Sequence, residues 1–273
     1  MIRFFAACLG ALVLAAPAYA EPVSEKVSSG VVTAEFTYER DGKRYSDFHL
    51  KVVRDGLTLV DRAVGPGCPE EPCGVVPSGI AAKQDSVRLR DLDADREPEV
   101  IVDLFTGGAH CCAYSTIYTF EEGTGKYTRV RRNWRDAGYR IQDVGRDGTV
   151  ELRSRDARFG YAFSSYAESY LPIQYFRLGE GRLTDVTPSY RRWLRADARK
   201  ALRLYQRVRE RDVNVGGILA AYAADRYRLG ERGAARRTLL RAVRRGDVEP
   251  AYVKRVDRFL KRIGYAKRPK PNG

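Results

Sequence analysis

Between residues 30 and 187 apolar and polar positions alternate with a period of two, the pattern of half-buried strands. "VVTAEFTYER" and "FHLKVVR" are joined through Asp41-Gly42, a hairpin-turn dipeptide, and Asp55-Gly56 marks a second such turn. "EVIVDLF", "STIYTF", "YRIQDV", "TVELRS" and "PIQYFRL" continue the series in β-branched and aromatic residues, with glycine-containing turns between them. After "TDVTPS" the period becomes helical. Thr187-Pro188-Ser189 is a helix start, and Tyr190, Trp193, Leu194, Ala201, Tyr205 and Val208 form an apolar stripe at helix spacing. Three further helices are predicted over "GILAAYAADRYRLG", "ERGAARRTLLRAVRRG" and "EPAYVKRVDRFLKRIGY". The expected architecture is a mainly-β N-terminal domain over 26–187, then an all-α helical-hairpin domain over 188–264. Residues 265–273 are expected to be a mobile tail.

The β half repeats. "VRLRDLDADREPEV" from Val87 aligns with "YRIQDVGRDGTVEL" from Tyr139, an offset of 52 residues. "IYTFEEGTGKYTRV" from Ile117 aligns with "IQYFRLGEGRLTDV" from Ile173, an offset of 56, and residues 48–63 resemble the second half of the same unit. Two and a half units of about fifty residues suit antiparallel blades but are too few for a closed propeller of roughly four or more. The expectation is therefore an open, propeller-like stack of antiparallel blades, with its edges covered by the helical half or a partner.

The repeated segment carries an acidic loop. Asp91, Asp93, Asp95, Glu97 and Glu99 occupy loop positions 1, 3, 5, 7 and 9. Calcium takes six to eight oxygens, and acids at alternate positions of a tight loop converge on one point. Pro98 opposes a helix and "EVIVDLF" follows, so the setting is strand–loop–strand and not that of an EF-hand. The alternative is a solvated acidic turn partly neutralised by Arg90 and Arg96. Residues 85–187 resemble the FG-GAP/VCBS repeats of integrin α-like propellers. The resemblance implies Asp91, Asp93, Asp95 and Glu99 as side-chain ligands of a structural Ca2+ ion, with Glu97 supplying a carbonyl. Arg96 stands where that family has Gly, and Glu99 where it commonly has Asp. The second copy keeps Asp143, Asp147 and Glu151 but has Gly145 at position 3 and the basic neighbour Arg146, so a weak or vestigial site is expected there. Residues 216–249 resemble a tetratricopeptide helix pair, carried by Leu219, Tyr222, Ala223, Gly230, Ala235, Leu239 and Ala242; Arg226 and the late Pro250 depart from that pattern.

Location and charge narrow the function. Arg3, the apolar run "FFAACLGALVLAA" and Ala18-Tyr19-Ala20 read as a signal peptide over 1–20 cleaved after Ala20, implying a periplasmic or secreted protein. No later segment is apolar enough to span a bilayer. Four cysteines then remain, Cys68, Cys73, Cys111 and Cys112, and in an oxidising compartment they are expected in disulfides of unknown pairing. "TGGAHCC" also admits a soft-metal site or a Cys–His pair using His110, Cys111 and Cys112. The aromatic run "FGYAFSSYAESYLPIQYF" admits either a ligand platform or a sheet core. The whole chain carries a net charge of +14, yet residues 188–273 hold 25 basic against 8 acidic residues, leaving a net of −4 for 21–187 once Arg3 is set aside. The basic half is expected to face a protein or an anionic envelope component, and the export signal argues against nucleic acid. No G-x-S-x-G, H-E-x-x-H or dinucleotide motif is present. The resulting expectation is a non-catalytic, exported, calcium-binding scaffold or interaction protein. The alternatives are an envelope enzyme or soft-metal site at His110/Cys111/Cys112, and anionic-surface binding by the basic helices alone.

Overall fold

The computed structural model describes residues 20–65, 75–77, 85–108 and 111–266. The expected signal peptide, Cys68, Cys73 and His110 lie outside the described residues, as do 267–273 of the tail.

Three antiparallel sheets precede four helices. The first sheet is a meander of β1 (Glu21–Ser29), β2 (Val32–Asp41), β3 (Arg44–Arg54) and β4 (Leu57–Ala63). The second runs β5 (Val76–Pro77), β7 (Glu99–Gly108), β8 (Cys111–Glu121), β9 (Lys126–Arg135), with β6 (Val87–Arg90) also paired to β7. The third orders β10 (Arg140–Gln142), β11 (Glu151–Arg155), β12 (Ile173–Gly179) and β13 (Arg182–Asp185). The first turn falls one residue later than expected, at Gly42-Lys43, because Asp41 ends β2 and pairs with Arg44; the second falls on Asp55-Gly56. Asp55 and Gly56 both take positive φ (50° and 78°), the backbone of a two-residue hairpin turn whose twist matches its strands.

The half unit expected at 48–63 is completed by β1 and β2 into a full four-stranded sheet. β1 escapes the alternation pattern because it is an exposed edge strand, with only partial burial at every second residue.

Side-chain alternation stacks the three sheets. Val100, Val102 and Leu104 of β7 pack with Val32, Ala34, Phe36, Leu50 and Val52 of the first sheet. Ile101 on the opposite face of β7 joins Ile117, Trp134, Leu152, Phe176 and Leu178 against the third sheet. Ile173 and Tyr175, on the far face of the third sheet, meet Leu194 and Leu229 of the helical region. The second sheet's central strands are therefore covered on both faces, whereas β2 and β3 of the first sheet bury one face only.

The helices are α1 (Arg191–Val208), α2 (Gly216–Arg228), α3 (Arg232–Arg244) and α4 (Tyr252–Arg262). α2 is buried almost all round, as expected of a helix at the centre of its layer. Leu219, Tyr222, Ala223, Ala235, Leu239 and Ala242 join one core with Tyr252, Val256 and Leu260. The aromatic run is mostly part of this core: Phe159 and Phe163 are buried in it, while Tyr161 is exposed. On α1 the stripe differs from the expected one. Trp193 is 39% exposed, and buried Asp197 instead accepts from Tyr170 Oη at 2.7 Å and from the Ile173 N–H at 3.1 Å. Tyr265, placed above in the mobile tail, is buried and donates to Asp156 at 2.6 Å, because a phenol can fill an apolar gap while its hydroxyl finds a carboxylate.

Two glycines let α2 seat on the 159–170 segment. A Cβ on Gly216 would lie 2.7 Å from the Phe163 carbonyl, and one on Gly217 would lie 2.4 Å from Ser164 Oγ and 3.0 Å from Ser169 Cα. Gly217→Ala should therefore destabilise by about 1–3 kcal/mol through overpacking, read as a lowered midpoint in urea with an unchanged m value. Asp225 is fully buried in α2, and both its carboxyl oxygens lack a hydrogen-bond partner among the described residues. Burial, then the charge of Asp197, pushes its pKa well above the usual carboxylate range. A raised folded-state pKa means stability that is full at low pH and is lost as pH rises from the ordinary carboxylate value through the raised one. Asp225→Asn should thus match the wild type near pH 4 and exceed it in melting temperature toward pH 8; parallel melting profiles across that range would refute the assignment.

Candidate metal centre

The two acidic loops fold alike. In the first, the Leu92 N–H donates to Glu99 Oε2 at 2.7 Å, the Arg96 N–H to Asp91 Oδ2 at 3.0 Å and the Glu97 N–H to Asp95 Oδ1 at 2.7 Å. In the second, the Val144 N–H donates to Glu151 Oε2 at 3.0 Å, the Gly148 N–H to Asp143 Oδ2 at 3.1 Å and the Thr149 N–H to Asp147 Oδ1 at 3.0 Å. Each bond recurs 52 residues on. So does the backbone: Ala94 and Arg96 take φ of 68° and 75°, Arg146 and Gly148 take 58° and 85°. Arg96 thus holds the left-handed conformation that favours glycine, at a small cost the loop's hydrogen bonds absorb.

The loops differ in how they neutralise the closing glutamate. Glu99 and Glu151 are both buried. Glu151 receives the Arg177 guanidinium at 2.6 Å; Arg177 also reaches Asp147 at 3.8 Å and donates to Tyr190 Oη at 3.1 Å. The strand register explains the first loop's lack of an equivalent. Leu152 pairs with Phe176, so Glu151 lies opposite Arg177; Val100 pairs with Tyr118, so Glu99 lies opposite Thr119. Thr119 is buried and its hydroxyl has no partner among the described residues.

Around Glu99 the charge is all negative. One carboxylate oxygen each from Asp91, Asp93 and Glu99 lie within 4.8 Å of one another, and Asp93 Oδ1 is buried with no hydrogen-bond partner among the described residues. Burial first, with repulsion from Asp93, Asp95 and Asp91 adding, pushes the Glu99 pKa up to about 8, opposed by the Leu92 N–H. Asp93 is likewise raised, by burial and then by Asp95. Asp95 is exposed and outside this triad, and the Glu97 side chain turns away to Arg54 Nε at 2.9 Å. Asp143, Asp147 and Glu151 form no comparable triad among the described residues; Arg177 sits among them instead.

Other expected residues fall as follows. Cys112 is buried and disulfide-bonded. A second buried polar network escaped the sequence reading. Asp103 accepts from Arg88, from Ser115 Oγ at 2.5 Å and from Tyr139 Oη at 3.1 Å, while Trp134 Nε1 donates to Ser115 Oγ at 2.7 Å. Its only signal in the sequence is an Asp within the apolar run "EVIVDLF", which marks a buried charge without naming its partners.

Two curated proteins show similarity to this chain. A probable thylakoid lumen protein, sll0997, of Synechocystis sp. is 31% identical over 159 residues, covering 57% of this chain and 47% of that protein. An uncharacterized protein, y4bJ, of Sinorhizobium fredii is 40% identical over 115 residues, covering 41% of this chain and 18% of that protein. The chain thus spans about half the length of the first and under a fifth of the second. No family model matches the chain, and no solved structure matches it at a significant level.

Removing the internal cation of the second loop should expose the cost of its buried carboxylate. Arg177→Met is expected to destabilise by about 2 kcal/mol, less than the roughly 3–5 kcal/mol of a fully buried pair because solvent reaches Arg177. Adding Glu151→Gln should recover part of the loss, a coupling that chemical denaturation of the four-member cycle measures.

Proposed function

We propose that this chain is an exported, non-catalytic interaction protein whose β region is held by a calcium ion in the 91–99 loop. One observation carries the reading: two loops share backbone and three hydrogen bonds, but among the described residues only in the second does a built-in cation reach the closing glutamate. Asp91, Asp93 and Glu99 would hold the ion. The donor set fits a hard cation, being all oxygen and all anionic, with Asp93 Oδ1 buried and unspent. When bound, the ion supplies the positive charge that Arg177 supplies to Glu151. The FG-GAP/VCBS resemblance of 85–187 supports the same ligand class. Export is supported by the amino-terminal sequence and by the lumenal description of the Synechocystis relative. No helix among the described residues is long and apolar enough to cross a membrane. The helical region, similar in 216–249 to a tetratricopeptide pair, would present its arginine-rich outer face to a protein or anionic envelope component.

Calcium binding only the folded state at 100 times its Kd should stabilise by about 2.7 kcal/mol, seen as a melting temperature raised by several degrees and reversed by EGTA. Asp93→Asn should remove that response. Thr119→Arg, which offers Glu99 the partner Glu151 already has, should raise the melting temperature in EGTA and abolish the calcium response. A melting temperature indifferent to calcium and EGTA, with no binding heat by calorimetry, would sink the proposal.

A further inference from the structure

A cavity of about 740 Å3 opens where β9, the third sheet and the end of the helical region meet. Five arginines line it, Arg132, Arg135, Arg155, Arg158 and Arg228, against two aspartates. Three of the five are committed. Arg228 pairs with Asp185 at 2.7 Å, Arg158 with Asp156 at 2.6 Å, and Arg155 reaches Asp197 at 3.7 Å. Arg132 is not. Its guanidinium lies 4.0 Å from the Phe176 ring and 5.4 Å from that of Trp134, and no hydrogen bond or ion pair reaches it among the described residues. The rings hold it in place while offering no oxygen. Gln174, two residues before Phe176 on the same face of β12, is only 5% exposed and lines the same cavity, and its side-chain amide has no partner among the described residues. Arg135 at the rim is exposed and likewise without an ion pair among the described residues. Native proteins pair their buried donors, so the buried, unspent Nε of Arg132 facing a polar cavity beside Gln174 marks a binding site.

We propose that this cavity binds the oxyanion group of a small polar molecule, a phosphate or a carboxylate, through Arg132 and Gln174, with Arg135 at its mouth. A planar guanidinium matches both groups with two parallel hydrogen bonds. Trp134 and Phe176 are themselves buried beneath Arg132, so the cavity selects for charge and not for an aromatic ligand. The site is separate from the 91–99 loop and does not depend on calcium.

Calorimetric titration of the full-length protein with inorganic phosphate and with succinate, at fixed ionic strength, tests this. At least one should bind saturably with a Kd below about 1 mM. Phosphate alone would identify a phosphate-bearing ligand, succinate alone a carboxylate-bearing one. Arg132→Gln should weaken binding at least tenfold, and Arg44→Gln on the exposed end of β3 should leave it unchanged. If circular dichroism shows Arg132→Gln to be misfolded, Arg135→Gln should give a loss of at least threefold. No saturable binding of either anion, wild-type affinity in the folded pocket variant, or an equal loss in Arg44→Gln would overturn the proposal.

Discussion

A carboxylate buried at the entry to a central strand must be given a positive partner or take up a proton, and the β region is organised around two of them. Glu99 and Glu151 each begin a strand, each lie out of water, and each accept the N–H of the second residue of the loop before them. That residue is Leu92 in the first loop, whose side chain packs between the second and third sheets. Loop conformation, strand entry and sheet packing therefore meet at one carboxylate. An uncompensated charge there costs several kcal/mol, comparable with the net stability of a domain. The second loop answers with Arg177. The first loop sets more acid around its closing glutamate, and burial together with that acid raises the pKa of Glu99 to about 8.

The sheets and helices stack in chain order, and each junction carries a polar tie among its apolar contacts. Arg88, Asp103, Ser115, Trp134 and Tyr139 link the second and third sheets. Asp197 fastens α1 to the 170–173 segment, and Asp156 and Asp185 receive Tyr265 and Arg228. These carboxylates are acceptors for arginines and phenols that arrive from distant parts of the chain. The helical region is thus anchored by charge as well as by the Ile173, Tyr175, Leu194 and Leu229 contact, and the arginine-lined cavity lies along this seam.

Much of the fold is legible in residue order. Alternation marks β2, β3, β7 and β8, the Asp-Gly pairs lie at or beside the hairpin turns, and the 52-residue offset pairs the acidic loops through three recurring hydrogen bonds. The edge strand β1 is not legible, because an exposed edge has little apolar face to announce it. The decisive difference between the loops is hidden for another reason. The 56-residue offset that aligns "KYTRV" with "RLTDV" holds for β9 and β13. It fails one strand earlier, because a four-residue turn joins β8 to β9 and a two-residue turn joins β12 to β13. Carried back, it sets Glu121 against Arg177, whereas the pairing register sets Thr119 there.

Residue order alone determines what local physics reads: the two periodicities, the turns, the repeated acidic loop, and the shift of positive charge into the last third of the chain. Tertiary structure decides everything that rests on partners far apart in sequence. Arg177 reaches Glu151 across 26 residues, and Arg228 reaches Asp185 across 43. Arg132 and Gln174 come to one cavity from different sheets. Spacing within a loop fixes which carboxylates can converge, but only the register of the neighbouring strand determines whether an arginine or a threonine stands opposite them.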